Sequence, residues 1–151
     1  MNYFKISLFS VFLLLTAQDK QFVEFLSDEV KITKNQERLT VILPFEILEN
    51  FHIQSEIIGD GNFISTEIHF DNPNGFKILD YQFSKVNRED LVLGLLKCEV
   101  LSDELEVTLQ LEKTSTSKKT LNLKGHLYYQ ACDDRQCFYP RILRFSLKGD
   151  I

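Results

Sequence analysis

The sequence is poor in the residues that separate domains or bind nucleic acid. It contains only 3 Pro and 6 Gly among 151 residues. They are not gathered into a low-complexity linker, so a single domain is expected. Basic residues do not predominate: 17 Lys and Arg stand against 22 Asp and Glu, a net charge of −5. Because nonspecific binding to nucleic acid needs a basic surface that displaces phosphate counterions, we exclude that function.

Long apolar runs are also missing. Ile6–Leu15 is apolar but shorter than the roughly 20 residues that a membrane-spanning helix needs. It follows Lys5 and precedes Thr16-Ala17, the order of a secretory signal peptide, and polar residues begin directly afterwards. We therefore predict a signal peptide over residues 1–17 and one exported domain over 18–151. An uncleaved N-terminal anchor is the alternative. No cysteine stands at the cleavage position, which argues against a lipoprotein.

Alternation of apolar and polar residues dominates the rest of the chain. Between Glu104 and Glu112 it places four apolar side chains on one face: Leu105, Val107, Leu109 and Leu111. Such a pattern is typical of a strand with one face in a core. Residues 121–129 and 143–147 repeat it, and further strands are predicted at 39–45, 52–58, 65–70 and 76–83. Turn residues occupy 59–62, 71–75 and 114–117.

Short strands separated by turns predict an all-β protein built as an antiparallel two-sheet sandwich. The run at 91–100 is apolar almost throughout. It could form a buried strand or a short helix, and its strand-forming neighbours favour the strand.

Cysteine is scarce, and its number is odd. With Cys98, Cys132 and Cys137, at least one thiol has no partner within the chain. Export would allow disulfides to persist. Cys132 and Cys137 flank four polar residues between two predicted strands. A hairpin would bring their Cα atoms to about 4.5–5.5 Å, within reach of a disulfide.

The pair at this hairpin could be structural or redox-active. On the chain-entropy model a loop of this length stabilises a fold by only about 2 kcal/mol, and a domain of this size rarely depends on that. The turn is polar, and we expect it to be exposed to an attacking thiolate. These points favour redox activity. A secreted binding module with a purely structural disulfide is the alternative.

Charged neighbours refine the redox hypothesis. Asp133 and Asp134 disfavour a thiolate at Cys132, whereas Arg135 favours one. The site is therefore predicted to be a relay that partner proteins oxidise or reduce. We expect Cys132 to form the mixed disulfide with substrate and Cys137 to resolve it.

The segment around the cysteines resembles a known family. Tyr129-Gln130-Ala131-Cys132, then Cys137 and Tyr139-Pro140, are similar to the cysteine signature of the N-terminal (alpha) domain of DsbD, the bacterial thiol:disulfide interchange protein. Weaker similarity extends over about residues 20–150. It includes Phe51–Gln54, Ser65–Ile68, Pro73–Phe76 and Arg141–Leu147.

The resemblance implies an immunoglobulin-like sandwich in the periplasm with Cys132 and Cys137 as its redox pair. A membrane-embedded electron carrier of the DsbD or CcdA kind would supply electrons, and periplasmic thioredoxin-fold proteins would accept them. The redox-active disulfide would serve without any small-molecule cofactor. The family also has a cap loop whose aromatic residue shields the sulfurs. Asp80–Lys85 is the similar segment, with Tyr81 or Phe83 as the shield and Asp80 adding acidity.

Two departures from the family pattern affect these expectations. The cysteines here have one intervening residue fewer than in the best-known members, which predicts a different turn geometry and redox potential. The family protein continues into membrane helices and a thioredoxin-like domain, whereas this chain stops at Ile151. A free-standing domain would have to receive its electrons from another protein; loss of the relay role is the alternative.

The remaining cysteine and the histidines receive simpler interpretations. We expect Cys98 to be a buried free thiol, with an intermolecular bridge or a third redox thiol as alternatives. A zinc site formed by Cys132, Cys137 and His126 lacks a fourth ligand and the usual close cysteine spacing, so no metal is expected.

Overall fold

The computed structural model describes residues 20–56, 63–115 and 119–151. The predicted signal peptide at 1–17 and the predicted turn at 59–62 lie outside the described residues, as does part of the turn at 114–117. In the described ranges, no helix combines the length and apolar character needed to cross a membrane.

The described residues form strands joined by turns, with one short 3-10 turn at Ser27–Glu29. The strands in chain order are β1 (Val23–Phe25), β2 (Lys31–Asn35), β3 (Arg38–Ile47), β4 (His52–Gln54), β5 (Glu67–Phe70), β6 (Phe76–Leu93), β7 (Leu96–Lys113), β8 (Thr120–Tyr129), β9 (Ala131–Cys132) and β10 (Arg141–Asp150).

The strands make two antiparallel sheets. In the larger sheet β7 is central: one side pairs with β6, and the other side pairs first with β3 and then with β4. Both β1 and β2 pair with β3, and β9 pairs with β4 at the far edge. The smaller sheet has the order β10-β8-β5. The short strands β4 and β9 thereby carry the cysteine segment to one edge of the larger sheet.

The long β6–β7 hairpin corrects two sequence predictions. The strand predicted at 76–83 continues to Leu93, and the apolar run at 91–100 is not one strand. It contains the end of β6, a two-residue turn, and the start of β7, with Leu93 paired to Leu96. Gly94 makes this turn possible because its φ of 63° lies in the left-handed region.

The core lies between the two sheets and follows the predicted alternation. The four apolar residues of β7 predicted to share a face are all fully buried. The alternate apolar residues of β8, Leu121 to Tyr129, are buried as well, and so is Phe145 of β10. Gly125 lies on the same face of β8. A Cβ there would lie 2.4 Å from the His69 carbonyl oxygen and 2.7 Å from the Phe145 ring, so the close packing at this position favours glycine. The predicted all-β, antiparallel two-sheet sandwich is confirmed.

Buried Tyr129 ties the N-terminal segment to the core. Its hydroxyl accepts a hydrogen bond from the Phe22 N–H at 2.9 Å and donates one to Gln21 Oε1 at 2.9 Å. Burial raises the pKa of the Tyr129 phenol, so it stays a neutral donor. β8 runs directly from this anchor into the cysteine segment.

Candidate functional site: the cysteine pair

Cys132 and Cys137 form a disulfide, as the hairpin spacing predicted. β9 ends at Cys132, and a four-residue turn brings Cys137 back as its antiparallel partner. The Cα atoms are 3.9 Å apart, closer than predicted, because the turn closes on this single bridge and not on a regular ladder. The strand expected to leave from Cys137 begins only at Arg141, as β10.

Asp133 organises the turn between the two sulfurs. Its carboxylate accepts hydrogen bonds from the backbone N–H groups of Arg135 and Gln136, each at 2.8 Å. The hydrogen bond from the Arg135 N–H lowers the pKa of Asp133 most, and the bond from the Gln136 N–H adds to it. Together they hold this pKa below its usual value. The carboxylate is thus directed at the backbone of the turn, which makes it a structural residue of the loop. Its predicted effect on a thiolate at Cys132 stays a prediction.

The two sulfurs differ in exposure. Cys132 is fully buried, whereas Cys137 is partly exposed and borders a shallow cavity of about 450 Å³. The other residues that line this cavity are Gln130, Gln136, Phe138, Tyr139, Pro140 and Arg141. The expectation of an exposed pair therefore holds only for Cys137. A buried sulfur cannot be approached from solvent. The burial of Cys132 therefore argues against the prediction that Cys132 forms the mixed disulfide with substrate.

Aromatic packing fixes the chain on the far side of Cys137. The Phe138 ring stacks on Phe22 with centroids 4.8 Å apart and meets the edge of Phe51 at 6.0 Å. The Phe138 N–H donates to the Ala131 carbonyl at 2.7 Å, and its carbonyl accepts from Gln130 Nε2 at 3.1 Å. The segment that carries Cys137 is therefore held by packing and hydrogen bonds independent of the disulfide.

An unpredicted residue, Gln54, reaches the sulfurs from β4. Its side-chain Nε2 lies 3.1 Å from Cys132 Sγ, 3.8 Å from Cys137 Sγ and 3.6 Å from Cys98 Sγ. Gln54 is 4% exposed. One amide group thus faces all three sulfurs of the chain, although its position lies far from each of them in the sequence.

Cys98 is a free thiol, as expected, but it is half-buried and not fully buried. Besides Gln54, it contacts the Leu91 carbonyl at 3.8 Å across the β6–β7 hairpin. Sequence reasoning did not place it beside the disulfide.

His52 is the direct cross-strand neighbour of Cys132. Its Nε2 lies 3.9 Å from a carboxylate oxygen of exposed Asp134. Its buried Nδ1 has no hydrogen-bond partner among the residues that the structure describes. The sequence signal for both His52 and Gln54 was their alternation on β4, which places them on one face, but nothing local revealed that this face meets Cys132.

The segment predicted to be the cap is part of the long strand β6. Asp80, Tyr81 and Phe83 belong to β6, where Tyr81 packs edge-on against Phe70. Tyr81 and Phe83 line a separate cavity between β5 and β6. The β6 residue level with Gln54 across β7 is Glu89, about 20 Å along the strand from Phe83. Strand pairing therefore holds the segment in the ladder, and a shielding role for it stays a prediction.

The residues considered for zinc are not assembled. His126 stacks on His69 between β8 and β5, with ring centroids 4.8 Å apart. In the described part of the chain, no group of three or more His, Cys, Asp or Glu is arranged to hold a metal ion.

Comparisons with known proteins bear on the fold. Neither a protein-family model nor a curated protein sequence matches this chain. Among solved structures, the N-terminal periplasmic domain of ScsB from Proteus mirabilis matches with a TM-score of 0.54 and 16% identity, over 80% of this chain and 44% of that chain. The N-terminal domain of Neisseria meningitidis DsbD in the reduced form matches with a TM-score of 0.46 and 16% identity, over 80% of this chain and 84% of that one.

This chain therefore spans less than half the length of the ScsB structure that it matches. At such low identity the likeness establishes the fold alone. The resemblance predicted from the sequence is confirmed at that level: the chain is an all-β sandwich similar in fold to the N-terminal periplasmic domain of ScsB.

Proposed function

We propose that this chain is a periplasmic thiol–disulfide interchange domain that relays reducing electrons through Cys132 and Cys137. The observation that carries the proposal is the asymmetry of the disulfide: Cys132 is fully buried, and Cys137 is accessible beside a shallow cavity. A relay disulfide needs one sulfur that partners can reach and one that remains protected from them.

The exchange begins at Cys137. A thiolate of the reduced donor attacks Cys137 Sγ, the Cys132–Cys137 bond breaks, and Cys132 leaves as a thiolate. The donor's second thiol then attacks the mixed disulfide and releases Cys137. The domain gains two electrons and two protons, and the donor leaves as a disulfide.

The second half of the relay reverses these roles. The Cys137 thiolate attacks the disulfide of an oxidised acceptor and forms a mixed disulfide with it. Cys132 then attacks Cys137 Sγ, restores the intramolecular bond and releases the reduced acceptor. Since Cys132 stays buried, it meets Cys137 and no sulfur of the partner, which replaces the initial assignment of Cys132 as the substrate-facing thiol.

The partners we propose are a membrane-embedded electron carrier of the DsbD or CcdA kind as donor and thioredoxin-fold proteins of the periplasm as acceptors. The likeness in fold to the N-terminal periplasmic domain of ScsB supports the compartment. No cofactor beyond the disulfide enters the proposed exchange.

Trapping experiments test the proposal directly. Cys132→Ser should accumulate a mixed disulfide between Cys137 and an oxidised thioredoxin-fold acceptor, because the resolving thiol is absent. Cys137→Ser is the matched control and should trap little or none, because its remaining active-site thiol is buried. Absence of an adduct with Cys132→Ser, together with failure of the reduced wild-type chain to reduce any such acceptor, would refute the relay.

The competing hypothesis is a binding module whose disulfide is only structural. Equilibration with glutathione separates the two. A reduction potential below about −300 mV would mark an inert structural bond, and a more oxidising value would mark an exchangeable one.

A further inference from the structure

The buried position of Cys132 creates an electrostatic problem for the proposed exchange. When a partner attacks Cys137, negative charge develops on Cys132 Sγ, which is fully buried. Burial without a compensating donor destabilises a thiolate and makes it a poor leaving group. The site therefore needs a group that stabilises charge on this particular sulfur.

Gln54 is placed to meet that need. Its Nε2 lies closer to Cys132 Sγ, at 3.1 Å, than to Cys137 Sγ, at 3.8 Å. Its backbone is fixed on both sides: it pairs with Val100 of β7, and its N–H donates to the Gln130 carbonyl at 3.0 Å. The Thr66 hydroxyl donates to its carbonyl. The donor is thus preorganised before the disulfide opens.

Charged and titratable groups near Cys132 come from three elements. From β4, His52 is its cross-strand neighbour. The turn contributes Asp133, whose carboxylate is bound to the backbone, exposed Asp134, and Arg135. On β7, Glu99 is paired with Arg88, and Cys98 lies 3.6 Å from the Gln54 amide. Among the described side chains, the donor that contacts Cys132 Sγ is Gln54.

Cys98 is not an alternative partner for Cys132. The two residues lie on β7 and β9, with β4 between them. Strands separated by one other strand are about 9.5 Å apart, whereas disulfide formation needs Cα atoms within about 7 Å. Cys98 therefore lies beside the Gln54 amide but is too far from Cys132 to form a disulfide with it.

We propose that Gln54 acts on the reacting sulfur: its amide stabilises Cys132 as the leaving thiolate and thereby directs partner attack to Cys137. The inference rests on the proposed function and assigns a specific electrostatic role within it. The Gln54 amide would donate a hydrogen bond to a charged sulfur. We therefore expect Gln54 to shift the equilibrium of the pair toward its reduced, ionised form by roughly ten- to a hundredfold.

Gln54→Leu tests the inference because leucine keeps apolar bulk and removes the donor. The equilibrium constant of the full chain with glutathione should move at least about tenfold toward the disulfide, equivalent to about 30 mV. Dithiothreitol should open the oxidised variant more slowly by a similar factor. Gln82→Leu, the same substitution at an exposed β6 position, is the matched control and should leave both quantities unchanged.

A second readout separates electrostatics from altered packing. In a Cys98→Ala, Cys137→Ser background, where Cys132 is the one remaining thiol, thiolate absorbance should show a higher pKa for Cys132 when Gln54 is leucine. If Gln54→Leu fails to fold, the Cys98→Ala, Cys137→Ser protein that retains Gln54 is studied by NMR. The amide nitrogen and proton resonances of the Gln54 side chain should then shift with the titration of Cys132, and unchanged resonances would overturn the inference.

The two hypotheses fail differently. If even the wild-type disulfide does not exchange with glutathione or dithiothreitol, the proposed function fails. If the wild-type chain exchanges normally and folded Gln54→Leu has the same equilibrium constant and Cys132 titration, only the role of Gln54 is refuted.

Discussion

Reduction of the Cys132–Cys137 disulfide should weaken the fold without abolishing it. The bond closes a loop with a sequence separation of 5, so the chain-entropy model gives a stabilisation of about 2 kcal/mol. The folded part of the chain, residues 20–151, comprises roughly 130 residues. With an unfolding entropy of about 2.1 cal/mol/K per residue, that loss lowers Tm by roughly 8 °C.

The structure explains why the loss should stay this small. The Phe138 ring remains stacked on Phe22, and the Phe138 N–H still bonds to the Ala131 carbonyl. The sandwich core lies between the sheets and does not depend on the bond. Differential scanning calorimetry of the oxidised and reduced chains measures the effect, with Cys98→Ala as a control that keeps the disulfide. A drop above about 20 °C, or loss of cooperative unfolding, would refute this reasoning and favour a structural staple.

Three further predictions concern packing, pH and the turn. Gly125→Ala should lower the free energy of unfolding by roughly 1–3 kcal/mol, since its Cβ would collide with the Phe145 ring; urea denaturation measures this. Burial raises the pKa of Glu56, but its hydrogen bonds, above all the one from Arg88, and the Arg88 charge together outweigh burial and hold this pKa below its ordinary 4.5. The ion pair should therefore stabilise the fold above about pH 4.5. This stabilisation should be lost as the pH falls through the lower pKa of the folded state. Urea midpoints of wild type should then fall more steeply than those of Glu56→Gln as the pH is lowered below about 4.5; parallel curves would contradict this. Asp133→Ala should free two turn N–H groups, which predicts faster amide hydrogen exchange in the turn while the core remains unchanged.

Local patterns in the sequence predicted the parts of the fold that depend on local geometry. The alternation in β7, β8 and β10 identified their buried faces because side chains on a strand alternate whatever the strand pairs with. The spacing of Cys132 and Cys137 predicted their bond because a short turn between strands brings the residues at its two ends together. Residues close in the sequence could be placed from the sequence.

Features that depend on distant pairing could not be predicted. The 18-residue strand β6 holds Tyr81 and Phe83 in register with β7, a pairing that the resemblance did not reveal. Gln54 reaches Cys132 only because β4 lies between β7 and β9. The burial of Cys132 likewise results from neighbours that are distant in the sequence. The polar residues between Cys132 and Cys137 predicted exposure instead.

The cysteine edge of the larger sheet is already occupied by the chain itself. β9 has only two residues, β4 covers one side of it, and the Phe138 N–H takes the Ala131 carbonyl on the other. Within the described part of the chain, β9 therefore offers no row of unpaired backbone groups for a visiting protein to extend as an added strand. In the proposed exchange, a partner would then recognise the side chains around Cys137, and proteins with unrelated backbones could use this docking point in turn.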